Sequence, residues 1–154
     1  MIIEQATAAD IAQLCDLRVA YLSDDFGELG YEAASSVIEE LKPYLNFHLG
    51  RDMKVFVARD SGLIVSCAWL LLVDKPPSPR FPHGKTGILF NVYTRRSYRR
   101  RGLAKQVMEV LISAGRDHGL DVIELNATDD GYPLYLQLGF ADDTMTHKPM
   151  RLML

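Results

Sequence analysis

"NVYTRRSYRRRGLAKQVMEVL", residues 91–111, decides how the chain is read. A β-branched and aromatic run ending at Thr94 leads into five arginines within seven positions, Arg95 to Arg101. Gly102 follows, and then Leu103, Val107, Val110, Leu111 and Ala114 recur at helical spacing. The pattern is a strand, a basic turn and a helix that ends near His118-Gly119. The first turn of a helix leaves backbone N–H groups without partners and carries the positive end of the helix dipole. Phosphate groups bind well at such a place. Gly102 has no side chain to block approach to the backbone, and Ala104 is the smallest residue that keeps helix propensity. Arginines around the turn add charge and forked donors.

Three readings of the arginine cluster compete. It is a solvated basic face, a nucleic-acid surface, or a site for the pyrophosphate of a nucleotide cofactor. A nucleic-acid surface is usually broad and basic, whereas this chain has a net charge of -3 and a sequence pI of about 5.8. No nucleic-acid module is present, so no nucleic-acid partner is expected. Neither the three-glycine dinucleotide fingerprint nor the G-K-S/T phosphate loop occurs. Arginine side chains beside one glycine would be a different solution to holding a pyrophosphate.

The 154 residues fit one domain, 1–154, with a sizeable core, and the 48% hydrophobic and 24% charged composition is that of a globular chain. "GLIVSCAWLLLV", Gly62 to Val73, is too short to span a bilayer as a helix and reads as a buried strand after a turn. The start "MIIEQATAAD" lacks the pattern of a secretory signal, and Cys15 and Cys67 have neither metal nor redox spacing. A cytoplasmic protein without membrane or metal is expected. Charge is uneven: residues 1–50 carry nine acids and two bases, for -7, and the remainder +4. Such asymmetry suggests either two ligand regions of opposite sign or two solvated faces.

Along the chain, "MIIEQAT" reads as a strand, and Thr7 can cap a helix with Ile11, Leu14, Leu17, Val19 and Leu22 on its apolar positions. "SDDFGELG" is expected to break that helix, and "YEAASSVIEELKPYLNFHL" to resume, with Pro43 as a kink or break. "KVFVARDSGLIVSCAWLLLV" is strand, turn, strand; "DKPPSPRFPHGKT" is a proline loop; "GILFNVYT" is a further strand. "DVIELNAT" is the strand after the arginine helix, "DDGYPLYLQLGF" a short helix, and "MTHKPMRLML" a last strand. Three antiparallel-type strands leading into a β-α-β crossover make a mixed α/β sheet.

"RRRGLA", Arg99 to Ala104, resembles the R/Q-x-x-G-x-G/A signature of the GCN5-related N-acetyltransferases (GNAT). "LFNVYTRRSYRRRGLA" is similar to the strand and lead-in of that family, and "PLYLQLGF" to its "LYEKLGF" motif. The order of elements resembles the family along nearly the whole chain. The resemblance implies a twisted, mostly antiparallel sheet with a splayed central strand pair and helices on both faces. It also implies acetyl-CoA as cosubstrate. Its pyrophosphate would be held by Arg99, Arg100, Arg101, Gly102, Leu103 and Ala104. The pantetheine amides and thioester carbonyl would meet free backbone groups at a bulge around Val92, Tyr93 and Thr94. Arg96 stands where the family often has proline, and Ala104 where it often has glycine. The family's usual asparagine is matched by Thr128 or by Asn126, and either could contact the cofactor.

Acetyl transfer to an amine needs a held thioester, a deprotonated amine and a proton for the leaving thiolate. Tyr135 matches the family's thiolate-protonating tyrosine, and Tyr132, three residues earlier, would line the site or substitute. Glu124 shares a sheet face with Asn126 and could take the amine proton or be a structural ion-pair member. Glu4 and Glu28 are weaker candidates, and His48, His83, His118 and His147 read as surface or turn residues. Asp24, Asp25, Phe26 and Glu28 in the acidic loop would suit a cationic amine, or form a solvated loop. An acetyl-CoA sensor without catalysis is the alternative function. The sequence leaves the acceptor open, and a homodimer is compatible with it.

Overall fold

The computed structural model describes residues 1–144 and 147–154. Apolar, β-branched and aromatic residues build β1 (Ile2–Gln5), β2 (Met53–Asp60), β3 (Leu63–Asp74) and β4 (Lys85–Thr94), and β5 is the short Val122–Glu124. They lie in the order β1-β2-β3-β4-β5 in one sheet. The first four pair antiparallel, and β5 pairs parallel to β4. α1 (Ile11–Phe26) and α2 (Tyr31–His48) lie between β1 and β2 in the chain, α3 (Leu103–Asp117) makes the crossover from β4 to β5, and α4 (Tyr132–Gln137) follows. This is the mixed, mostly antiparallel α/β sheet expected from the element order.

Side-chain alternation divides the core in two. Val55, Val57, Ile64, Cys67, Trp69 and Tyr93 face α1 and α2, where Leu14, Leu17 and Leu45 are fully buried. Phe56, Ala58, Val65, Ala68, Leu70 and Leu89 face α3, which contributes Leu103, Val107, Met108 and Leu111. Helices therefore cover both faces. Each fully buried aliphatic side chain contributes roughly 1.5–3 kcal/mol relative to exposure.

Several elements differ from the sequence reading. α1 runs through Ser23, Asp24, Asp25 and Phe26, and breaks only at Gly27, whose φ is 93°. Polar residues lower helix propensity without ending a helix, whereas a glycine at positive φ does end it. α2 passes through Pro43 without a break. Pro43 and Glu39 are exposed, so the carbonyl that loses its N–H partner faces water. On α3, Met108 is buried and Val110 is exposed, because Val110 lies off the i, i+4 stripe of Leu103, Val107 and Leu111. β5 covers only the start of "DVIELNAT". The expected last strand is absent from residues 147–154, where Pro149 lacks a ladder N–H and three-residue β5 offers little edge. Met145 and Thr146 of that segment lie outside the described residues.

Candidate functional site

β4 changes partner pattern halfway along its length. Its register on β3 is regular from Lys85↔Asp74 to Phe90↔Trp69, then slips to Tyr93↔Cys67 and Thr94↔Ser66. One extra β4 residue is accommodated at Asn91, which takes a left-handed backbone with φ 48°. Asparagine tolerates that region better than other side chains. On the opposite side, pairing with β5 stops at Ile88↔Glu124. Beyond it, Val92, Tyr93 and Thr94 have no ladder partner on the β5 side among the described residues. The resemblance implied this bulge and splay.

The arginine turn sits at the end of this opened strand. Arg95 fastens it to β3: its backbone N–H donates to the Val65 carbonyl and its Nε to the Ile64 carbonyl, each at 2.8 Å. Tyr98 Oη donates to Asp60 Oδ2 at 3.0 Å. Arg99 Nε donates to the Thr94 carbonyl at 2.9 Å, and its guanidinium lies over the Tyr93 ring at 5.4 Å. Arg101 Nη2 donates to the Ser97 carbonyl at 3.0 Å. Arg100 has φ 63° and no hydrogen bond or ion pair among the described residues.

Gly102 is the N-cap of α3, with φ 72° and ψ 11°. A Cβ there would meet only Gln106 Nε2 of the protein, at 3.9 Å, so within the chain itself the need for glycine comes from the positive φ. None of the N–H groups of residues 100–105 has a protein acceptor among the described residues, while Gln106 N–H already donates to the Gly102 carbonyl. A row of unpaired N–H groups at a helix start, flanked by guanidinium groups, is an anion site. Leu103 is buried beneath it and Ala104 half-buried.

The acidic end of α1 meets this turn. Asp24 Oδ1 accepts from Arg96 Nη2 at 2.6 Å, and Oδ2 accepts from Arg99 Nη2. The hydrogen bond from Arg99, then that from Arg96, holds the Asp24 carboxyl below its ordinary value. Asp24 is thus engaged by cations of this chain. Asp25 has no ion pair among the described residues, and Phe26 is 76% exposed at the helix end, with Glu28 exposed beyond it.

Tyr135 is half-buried against the α3-side core that includes Val92, Leu103 and Phe140. Its ring meets Phe140 edge-on at 5.8 Å, and a Cβ on Gly131 would stand 2.9 Å from its Cε2. Burial pushes the Tyr135 hydroxyl up to about 12, with Tyr21 of α1 adding to the shift. Tyr132 is exposed and donates to Asp142 Oδ1 at 2.9 Å, so its hydroxyl has its own partner. Thr128 Oγ1 accepts from the Gly131 N–H at 3.2 Å, and the Thr128 carbonyl from Tyr132 N–H at 3.0 Å. Thr128 therefore closes the turn into α4, while exposed Asn126 has no hydrogen bond among the described residues. Glu124, 41% exposed, stands at the last β4–β5 rung, 3.9 Å from Lys75 Nζ. Glu4 pairs with Arg59 at 2.6 Å, in a cluster with Asp10.

Arg18 and Tyr21 of α1, and Asn91 at the bulge, have no role legible from the sequence alone. Arg18 Nη1 donates to Asn91 Oδ1 at 3.3 Å, and its guanidinium lies 5.5 Å from the Tyr21 ring centre. Asn91 Nδ2 in turn donates to Cys67 Sγ at 3.6 Å, and Cys67 to the Asn91 carbonyl at 3.4 Å. One signal was available. Arg18 and Lys42 are the only bases in an otherwise acidic first 50 residues.

A model of the acetyltransferase (GNAT) family matches residues 12–140. No curated protein matches the chain. A predicted acetyltransferase from Clostridium acetobutylicum, solved with acetyl-CoA, is 25% identical, with a TM-score of 0.85 over 97% of this chain and 95% of its own. A GCN5-related N-acetyltransferase from Ralstonia eutropha JMP134 is 22% identical, with a TM-score of 0.82 over 97% of each chain. A ribosomal-protein-alanine N-acetyltransferase from Brucella melitensis biovar Abortus 2308 is 19% identical, with a TM-score of 0.73 over 99% of this chain and 100% of its own. The last two likenesses concern the fold.

Proposed function

The chain belongs to the acetyltransferase (GNAT) family, and we propose that it transfers the acetyl group of acetyl-CoA directly to a primary amine of a small molecule or peptide, with both substrates bound together. The observation that carries this reading is the row of unpaired N–H groups at residues 100–105, next to the free edge of β4. These two features fit a cosubstrate with phosphates at one end and amides along its length. Acetyl-CoA supplies an activated acyl thioester when bound.

The N–H groups of residues 100–105, with Arg99, Arg100 and Arg101, bind the pyrophosphate. Val92, Tyr93 and Thr94 offer backbone groups to the amides and to the thioester carbonyl. Asn126 contributes its free amide, and Thr128 supports the turn instead. The partnered hydroxyl of Tyr132 makes it a wall residue. Tyr135 keeps its proton throughout the neutral range and donates from Oη to the leaving sulfur. Glu124 accepts the amine proton through water, from the sheet face opposite α3. Asp25 attracts the cationic form of the acceptor toward the end of α1.

An acceptor screen that follows coenzyme A release tests the proposal. Release that requires both acetyl-CoA and an amine, and an N-acetylated product by mass spectrometry, are expected. Acetyl-CoA binding without transfer to any amine would favour a sensor instead.

A further inference from the structure

Arg18 has a position that coenzyme A binding does not explain. It is half-buried in the middle of α1, and the one hydrogen bond of its guanidinium among the described residues is to the neutral Asn91 amide at 3.3 Å. No carboxylate lies within ion-pair distance among the described residues. Four arginines have carboxylate partners: Arg59 has Glu4 and Asp10, Arg96 and Arg99 share Asp24, and Arg80 has Asp143, while half-buried Arg95, which has none among the described residues, gives its Nε to the Ile64 carbonyl at 2.8 Å. An arginine withdrawn from water without a counter-charge is costly, and an arriving anion offsets that cost. Most of its donors remain open, in the fork geometry that fits a carboxylate.

Its surroundings form an open, partly apolar groove. Arg18 lines a cleft of about 400 Å³ between α1 and α2, with Leu22, Val37, Leu41, Tyr44 and Glu40. Three of these are apolar, Tyr44 adds a hydroxyl, and Glu40 is exposed. On its other side Arg18 touches Asn91, the residue at which β4 bulges, next to Val92 and Tyr93. Arg18 is thus shared by the cleft and the bulge. Tyr21 and Asp25 follow at i+3 and i+7 on one face of α1.

We propose that Arg18 binds a carboxylate on the acceptor, so that the preferred acceptors are amines that also carry a carboxylate, of the amino-acid or free peptide C-terminus type. The carboxylate sits on Arg18 at the mouth of the α1–α2 cleft. The amine points along α1 past Tyr21 toward the bulge, with Asp25 favouring its approach. The substrate's remaining side chain enters the cleft. This assignment rests on the acetyltransfer reading for the amine, but carboxylate binding by Arg18 can be measured without turnover.

The experiment uses matched pairs that differ only in the carboxyl group. N-acetylglycine, N-acetylphenylalanine and N-acetylglutamate are titrated by calorimetry into the coenzyme A-loaded protein, beside their carboxamides. The corresponding free amines are assayed as acceptors. At least one acid is expected to bind on the order of 10–100-fold more tightly than its amide, the scale of a charge-assisted hydrogen-bonded pair. Arg18→Gln should remove that preference and leave coenzyme A affinity unchanged, and Arg18→Lys should keep part of it. A rise in KM confined to carboxylate acceptors is expected in the assay. Equal binding of acids and amides, no binding of any acid, or an equal loss in both series with Arg18→Gln would overturn the proposal. If Arg18→Gln does not fold, the acid-to-amide ratio of the parent protein decides alone. Carboxylate binding without acetyl transfer would sink the acetyltransferase reading and leave the Arg18 site standing.

Discussion

Asp24, in the last turn of α1, accepts a hydrogen bond at 2.6 Å from Arg96, 72 residues further along the chain. The acidic and basic regions of the sequence therefore meet at this point. The carboxylate occupies guanidinium groups beside the proposed pyrophosphate site, so it competes with phosphate for them. Asp24→Asn should free Arg96 and Arg99 and tighten coenzyme A binding by about 2–5-fold, the scale of an exposed ion pair. Calorimetry at low salt should show the gain, and high salt should shrink it. Weaker binding by Asp24→Asn would mean that Asp24 positions the arginines instead of competing for them.

Tyr135→Phe keeps the ring on Gly131 and Phe140 but removes the donor. Single-turnover transfer with saturating amine should slow by about 10²–10⁴-fold, with acetyl-CoA affinity little changed. Because the hydroxyl is pushed up to about 12, the activity of the parent should show no loss from Tyr135 ionisation below about pH 11. A Phe variant as fast as the parent would place the proton donor elsewhere. Gly131→Ala, which forces a Cβ against the Tyr135 ring, should lower the rate in the same direction.

Asp10 provides a stability test away from the site. Burial alone would raise its carboxyl, but the Thr7 N–H at 2.8 Å and Arg59 at 2.8 Å outweigh it, and the net shift is downward from 3.8. A depressed carboxyl adds stability above its unfolded value and loses it as pH falls through the folded one. Asp10→Asn should cost about 1–3 kcal/mol at pH 7 by urea unfolding, and the gap should narrow below about pH 4. A gap independent of pH would show that shape, not charge, matters at Asp10.

Gly102 separates backbone conformation from ligand exclusion. Asparagine tolerates positive φ, so Gly102→Asn should fold with modest loss of stability and of coenzyme A affinity. Gly102→Glu brings a negative charge to the unpaired N–H groups and should abolish measurable binding while the protein stays folded. Calorimetry alongside thermal unfolding distinguishes the two. Unchanged affinity in a folded Gly102→Glu protein would remove this helix start from the site.

The strand, arginine turn and α3 were legible because their signals are local: apolar periodicity, then charge, then a glycine at the N-cap. The mixed character of the sheet followed from adjacent strands leading into a crossover, while the strand order β1-β2-β3-β4-β5 is read from the structure. The end of α1 was less legible, since Ser23 to Asp25 are poor helix formers that the helix nonetheless includes. Val110 and Met108 exchanged places because apolar character alone does not fix the angle of a stripe. The site residues near α3 lie in one contiguous stretch, but Arg18 reaches Asn91 only through tertiary packing of α1 on the sheet. No local pattern encodes that meeting.

The central claim is that the helix start at residues 100–105 holds acetyl-CoA. Titration of acetyl-CoA into uniformly ¹⁵N-labelled protein, followed by amide chemical shifts, reads those N–H groups directly. The largest shifts should fall on Arg100 to Lys105, with further shifts at Val92 to Thr94, and they should saturate together. Saturable binding that leaves the amides of Arg100 to Lys105 unmoved, or no binding at all, would contradict it.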